Sequence, residues 1–219
     1  MDKKAKTELP RHIIYDWNGT LSDDVQAAVN AVNMLLAERG LRTVDVARHR
    51  EMFGFPVRDY YVALGFRLEN EDWDLLARRF NDAFHSDPTS RLFRGTVRTL
   101  TRLAEANIGM SVLSACEQGM LDESLRRAGI RDFFAAVSGL RHRGADSKLE
   151  NAAKLFARIA QPPETVWIIG DTDHDKEVAD ALGCRCLLLS AGYQTRERLT
   201  ATGAPVLTDI AEVPDWFGV

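Results

Sequence analysis

The sequence predicts an α/β protein, an open, doubly wound parallel sheet that carries an inserted all-helical domain. Three observations predict it. Short apolar runs alternate with amphipathic helical patterns, the rhythm of strand–helix–strand units. The runs are apolar throughout rather than alternating, as strands covered by helices on both faces must be. One interval of about 75 residues, between the first run and a helix starting near Gly95, carries helical patterns and no strand signal, far more chain than a crossover needs.

The first run, 12-HIIYD-16, ends in a carboxylate and is followed by a Gly19-Thr20 turn. Helical patterns follow at 23–39, 43–52, 57–64 and 71–84. On the last, Trp73, Leu76 and Phe80 recur at i, i+3 and i+7, one apolar face. Residues 22–91 therefore read as the inserted helical domain, and 1–21 with 92–219 as the α/β core. The two connections leave just after Thr20 and return near 88-PTSRLFRG-95. The insertion thus hangs over the C-terminal end of the first strand, where open α/β sheets bind ligands. A helical insertion there is a lid. The alternation then resumes with a helix at 95–106, a strand at 108–114, a helix at 118–128 and a strand at 133–138. A helix at 148–160, a strand at 165–171, a helix at 175–182, a strand at 185–190 and a short strand at 205–208 complete it.

Charge and cysteine content narrow the function classes. The formal net charge is -4, which argues against nucleic acid as the main partner, because phosphate backbones call for basic stripes. No apolar run is long enough to span a bilayer. The opening MDKKAKT holds three lysines but lacks the apolar segment of a signal peptide, and reads as a frayed arm. Cys116, Cys184 and Cys186 are odd in number and read as reduced thiols of a cytoplasmic protein. The C-x-C pair in 184-CRCLLL-189 reads as core packing rather than metal ligation.

The candidate chemistry lies at the sheet edge. Asp16 alone is compatible with a strand-end turn cap. A second strand, in 165-TVWIIGDTDHDKEVADALG-183, ends in Gly170-Asp171 and crowds Asp171, Asp173 and Asp175 into one strand-to-helix turn. Acids packed this closely repel unless a cation or hydrogen bonds offset them. A few hard oxygen ligands, with water filling the rest, suit Mg²⁺. A helix N-terminus explains one or two acids, but not a partner at another strand end.

These segments resemble the haloacid dehalogenase-like hydrolase superfamily, in the branch similar to phosphoglycolate phosphatases. The resemblance rests on 16-DWNGTLSD-23, Ser114 closing 110-MSVLS-114, Lys148 in 144-GADSKLENAAKLF-156, and 170-GDTDHDKEVADALG-183. The stretches 191-AGYQTRERL-199 and 203-GAPVLTDIAEV-213 add to it. It implies a Rossmann-like core with a helical cap. It also implies a Mg²⁺-dependent phosphatase of a small-molecule phosphate, acting as monomer or homodimer. Asp16 would be the nucleophile that forms an aspartyl-phosphate, a carboxylate being ionised at neutral pH. Mg²⁺ would bridge Asp16 and the phosphate, with Asp171 a direct ligand, Asp175 a ligand or a holder of its waters, and the backbone carbonyl of Asn18 a further ligand. Gly19, Thr20, Ser114 and Ala115 would hold the phosphate, and Lys148 would offset charge on Asp16 and the transferring group. Lys148 lacks the usual Gly-Lys-Pro context, which leaves Lys154 as an alternative.

Asn18 is the main departure. The family usually has an Asp there, which protonates the leaving oxygen and then activates water. Such help is worth about 10²–10⁴-fold in rate. Several readings stay open: a phosphatase that is slow, or suited to good leaving groups, or served by another acid; a non-catalytic phosphate- or Mg²⁺-binding protein; or an introduced replacement. Phosphonoacetaldehyde hydrolase-like chemistry is excluded, because it needs a cap lysine and residues 22–91 have none. A true dehalogenase would lack the pair Asp171 and Asp175. Substrate choice would lie in the insertion, where 53-FGFPVRDYYVALGF-66 offers Arg58 for a substrate carboxylate or phosphate. His174 reads as facing solvent, and Trp17 as packing behind the loop.

Overall fold

The computed structural model describes residues 8–140 and 148–219. The basic N-terminal arm and residues 141–147, including the Gly-Ala-Asp-Ser lead-in to Lys148, lie outside the described residues. The strands are β1 (His12–Tyr15), β2 (Ser22–Asp23), β3 (Arg91–Leu92), β4 (Gly109–Glu117), β5 (Ala136–Leu140), β6 (Val166–Gly170), β7 (Arg185–Leu189) and β8 (Val206–Leu207). Six of them form a parallel sheet in the order β5-β4-β1-β6-β7-β8, and β2 pairs with β3 antiparallel.

β1 lies inside the sheet between β4 and β6, and its Ile13, Ile14 and Tyr15 are fully buried. Its alternation sorts them to two faces. Ile13 and Tyr15 join one core cluster, and Ile14 joins the other. From β1 the chain runs outward through β4 and β5, then returns to the far side of β1 as β6. The direction of winding therefore reverses between β1 and β6, and ligands of open α/β sheets sit at such a switch point. The two strand ends are hydrogen-bonded neighbours, Asp16 N–H donating to the Ile169 carbonyl at 2.9 Å.

Between β2 and β3 lie α1 (Val25–Glu38), α2 (Val46–Met52), α3 (Val57–Ala63) and α4 (Trp73–Ser86). They bury a core of their own. Val32, Leu35 and Leu36 of α1 meet Tyr60 and Tyr61 of α3, Phe66, and Leu76 of α4. The i, i+3, i+7 stripe read from the sequence lands here, with Trp73 and Phe80 packed on the cluster. Asp45 and Asp72 cap α2 and α4 by accepting from Arg48 N and Leu75 N. The core helices are α5 (Thr96–Glu105), α6 (Gln118–Arg127), α7 (Lys148–Ile159), α8 (Asp173–Leu182), α9 (Arg196–Ala201) and α10 (Val213–Phe217). Leucines of α5 and α6 cover one sheet face, and α7, α8 and α9 cover the other. Cys184 and Cys186 are buried in that second cluster, as packing residues.

Several boundaries differ from the expected ones for physical reasons. The interval read as strandless holds β2 and β3, two residues each, too short for any periodicity. β5 starts at Ala136 because residues 131–133 form a 3₁₀ turn. β4 runs on to Glu117, with a register break between Leu113 and Glu117 that lifts residues 114–116 out of the ladder. Helix α8 begins at Asp173, because the Asp175 carboxylate accepts from the N–H and hydroxyl of Thr172 and closes the first turn early. Among the described residues no helix is long and apolar enough to cross a membrane.

Candidate active site

Three carboxylates converge where β1 and β6 end. Asp16, Asp171 and Asp175 each offer one oxygen within 4.8 Å of the others. Lys148 binds two of them, its Nζ donating to Asp16 Oδ1 and Asp175 Oδ1 at 2.7 Å each. A lysine in the first turn of a helix opposes the helix dipole, so the two carboxylates are what retain it at the start of α7. Burial alone would lower the lysine's pKa, but Asp16 and Asp175 outweigh burial and raise it. Lys148 is therefore a fixed cation.

The turn donors decide how each acid behaves. Asp175 Oδ2 accepts from Asp171 N, Thr172 N and Thr172 Oγ1 at 3.2, 3.0 and 2.8 Å. Burial would raise its pKa, yet Lys148 and these donors hold it below the usual carboxylate value. Asp171 accepts from Thr20 Oγ1 at 2.9 Å and from Tyr193 N at 2.7 Å. Burial first, then the charges of Asp16 and Asp175, push its pKa well up. Burial likewise raises Asp16 to about 6 against the pull of Lys148. Glycines make the room. A Cβ at Gly170 would fall 2.1 Å from Asp175 Cγ, and one at Gly192 2.2 Å from Asp171 Oδ2. Gly19 has the same 2.2 Å conflict with Asp171 and a φ of +72°, in the left-handed region that favours glycine. An all-oxygen donor set with uncompensated negative charge fits Mg²⁺ by its chemistry.

Asn18 has a partner that the sequence did not suggest. Its Nδ2 donates to Asp24 Oδ2 at 2.7 Å. Asp24 is buried and also accepts from Gly19 N and Tyr193 Oη at 3.1 Å each. Burial raises its pKa to about 7 despite these donors.

Over the carboxylates lies a cavity of about 410 Å³. Asp16, Asn18, Ser114, Ala115, Lys148 and Asp171 form its core side, and residues of α2, α3 and α4 form the opposite wall. Ser114 Oγ accepts from Cys116 N at 3.0 Å, which fixes the hydroxyl at the register break of β4. Burial raises the Cys116 thiol to about 12, so this cysteine is no thiolate nucleophile. The insertion is pinned over the core. Arg50 donates to the carbonyls of Gly192 and Ala191 at 2.7 and 2.5 Å, and Arg198 to that of Phe53 at 2.6 Å.

A family model for haloacid dehalogenase-like hydrolases matches residues 13–189, which spans both strand-end acids and the whole insertion. The chain belongs to this family. Among curated relatives it is 26% identical over 211 residues to the tyrosine-protein kinase PtkA of Mycobacterium tuberculosis, covering 95% of this chain and 72% of that one. It is 27% identical over 224 residues to the phosphoglycolate phosphatase of Rhodospirillum rubrum, covering 96% and 92%. A haloacid dehalogenase-like hydrolase from Streptococcus pneumoniae shares the fold with a TM-score of 0.81 at 19% identity, over 95% of this chain and 98% of the other.

Within this haloacid dehalogenase-like site, Asp16, Asn18, Ser114, Ala115, Lys148 and Asp171 come together at one cavity, and Asp175 stands behind Lys148. Gly19 and Thr20, expected against the phosphate, lie behind the acids instead. Thr20 is fully buried and spends its hydroxyl on Asp171. Arg58 sits in an adjoining pocket, its guanidinium 4.6 Å from the Trp73 ring centroid. Lys154, the alternative to Lys148, is exposed. Asp173, counted with the clustered acids, turns away to Arg198 and Gln194. His174 is only partly exposed, its ring 4.8 Å from that of Phe55. Trp17 packs in the core as expected. Asp24, Gly192 and Tyr193 went unassigned, although the doubled Asp23-Asp24 after the turn and the Gly-Tyr after β7 were visible signals.

Proposed function

We propose that the chain is a Mg²⁺-dependent phosphomonoesterase of small-molecule phosphates that works through an aspartyl-phosphate at Asp16. One observation carries the reading: the Asp16 carboxylate, held at 2.7 Å by a buried lysine, opens onto a cavity shared with Asp171 and Ser114. The phosphoglycolate phosphatases among the relatives support it. Residues 22–91 act as the cap that closes this cavity.

In this reading Lys148 keeps Asp16 ionised and stabilises charge on the transferring group. Ser114 and Ala115 orient phosphate oxygens. Asp16, Asp171 and the Asn18 carbonyl would hold Mg²⁺, which supplies charge neutralisation between the carboxylate and the phosphate when bound. Asp175 acts as a positioning residue, since its oxygens are taken up by Lys148 and the Thr172 turn. Asn18 supplies no proton to a leaving oxygen. The first half-reaction is therefore fast only for good leaving groups, and breakdown of the aspartyl-phosphate, which lacks a base at position 18, limits turnover.

The test is hydrolysis of an aryl phosphate with and without Mg²⁺. Turnover that disappears with EDTA and in Asp16→Ala supports the mechanism, and turnover that survives either one sinks it. The mycobacterial kinase relatives favour a second reading, phosphoryl transfer to a tyrosine hydroxyl. Label moving from ATP to a tyrosine peptide, without release of phosphate from the aryl ester, would select it.

A further inference from the structure

Resting on the phosphatase reading, we propose that the substrates of this site are aryl phosphomonoesters, with the aromatic group held in the cap. Two independent features point there.

The first is the cavity wall. Phe53, Phe55, Tyr61, Trp73, Phe80 and Phe84 all line it from the insertion. Phe80 and Phe84 stack with an interplanar angle of 12° and centroids 5.8 Å apart, and Tyr61 meets Trp73 edge-on at 5.5 Å. Offset-stacked and edge-to-face contacts of this kind accept a further ring. Among the described residues that line the cavity, the one lysine or arginine is Lys148, already committed to Asp16 and Asp175. Arg58 lines a neighbouring pocket that shares Trp73, Ala77, Asn81, His85 and Ala115 with this cavity. The volume of about 410 Å³ lies within the range of small-ligand pockets.

The second feature is the proton inventory at the reacting centre. Asp16 attacks phosphorus, the phosphorus–oxygen bond to the leaving group breaks, and that oxygen departs with the electron pair. An alkoxide has a conjugate acid near that of water, about 15.7, and needs a proton as it leaves. A phenol has a pKa of about 10, so an aryloxide leaves unprotonated and takes its proton from water afterwards. Water then attacks phosphorus, the bond to Asp16 breaks, and phosphate carries off the remaining proton. Asn18 has no acidic proton, and its amide N–H is turned to Asp24. An amide at position 18 and an aromatic wall select the same substrates.

The experiment compares kcat/KM for 1-naphthyl phosphate, glycerol 3-phosphate, 2-phosphoglycolate and a phosphotyrosyl peptide, on the full chain with Mg²⁺. The expected result is a preference of about 10²-fold or more for the naphthyl ester over both aliphatic ones. Phe80→Ala or Phe84→Ala should cut the aryl-to-alkyl ratio by about tenfold, the share of a buried ring. Phe84→Leu, which keeps an apolar side chain of similar bulk, should restore part of it and guards against a folding defect. Faster turnover of the peptide than of the naphthyl ester would keep the aryl class and assign its source to protein tyrosine. Equal or better turnover of the aliphatic esters, still dependent on Asp16, would overturn the substrate class and leave the phosphatase reading standing. Absence of Asp16-dependent turnover on every ester would overturn both.

Discussion

Asn18 and Asp24 form a pair in which one residue explains the other. An amide at position 18 can donate to a carboxylate at position 24, and does so at 2.7 Å. Two carboxylates at that distance would have to share a proton. Restoring an acid by Asn18→Asp alone therefore sets it against Asp24, and turnover of aliphatic phosphates should rise little while the thermal midpoint falls. The double change Asn18→Asp with Asp24→Asn inverts the donor and acceptor. It should raise kcat/KM on aliphatic phosphates by about 10²-fold or more and leave kcat/KM on aryl phosphates within about threefold, while kcat on aryl phosphates rises because the common hydrolysis step regains its base. Kinetics on both ester classes with a melting curve for each variant checks this. Equal gains in kcat/KM on the two classes would contradict a leaving-group role for position 18. The partnership was not legible beforehand, since six residues of separation across a turn give no periodic signal. What the sequence displays is two adjacent acids, and only the Trp17–Ser22 turn geometry brings the second one back.

At the scale of elements, most of the architecture was readable because strands and helices carry their own patterns. β1, β6 and β7 are continuous apolar runs, and α4 keeps its stripe, so each was placed to within two or three residues. What failed was short or conditional. β2 and β3 have no pattern to read, and the extension of β4 depends on a register break set by its neighbour β5. The closure of the insertion is likewise a tertiary matter, made by the Arg50 and Arg198 side chains on backbone carbonyls across the seam, with Arg198 itself held in place by Asp173 at 2.7 Å. Hydrogen bonds to charged groups are worth about 1.5–3 kcal/mol each. Arg50→Ala combined with Arg198→Ala should therefore open the cap, with faster amide exchange across α2 and α3 and a KM for aryl phosphates about tenfold higher. Unchanged exchange in those helices would show that the pins do not hold the closed form.

For the whole molecule, buried titratable groups set the response to pH and metal. Asp16, Asp24 and Asp171 have raised pKa values in the folded protein, the first two to about 6 and about 7. The folded state then binds more protons than the unfolded chain across the interval from the ordinary carboxylate value to these raised ones. Stability from this source is full below that interval and is lost as pH rises through it. His12 and His49 act the other way. Burial lowers both to about 4, so their contribution is full above the ordinary histidine value and is lost as pH falls. A cation bound by Asp16 and Asp171 relieves only the first set. Mg²⁺ should thus raise the thermal midpoint more at about pH 8 than at about pH 5. His12→Asn should flatten the acid limb alone, and calorimetry with and without Mg²⁺ reads both effects. The convergence of Asp16, Lys148 and Asp171 was legible from strand ends and motif order. The aromatic wall was not, because Phe53, Phe80 and Phe84 read as ordinary helix packing until the insertion is folded over the sheet.

A nucleophilic Asp16 becomes phosphorylated during turnover. Rapid quench of the protein with excess 1-naphthyl phosphate and Mg²⁺, followed by peptide mapping under acid, detects it. The expected result is a burst of naphthol equal to the enzyme present, with one phosphoryl group on the peptide that contains Asp16 and none in Asp16→Asn. Burst-free turnover with an unmodified Asp16 peptide would contradict it.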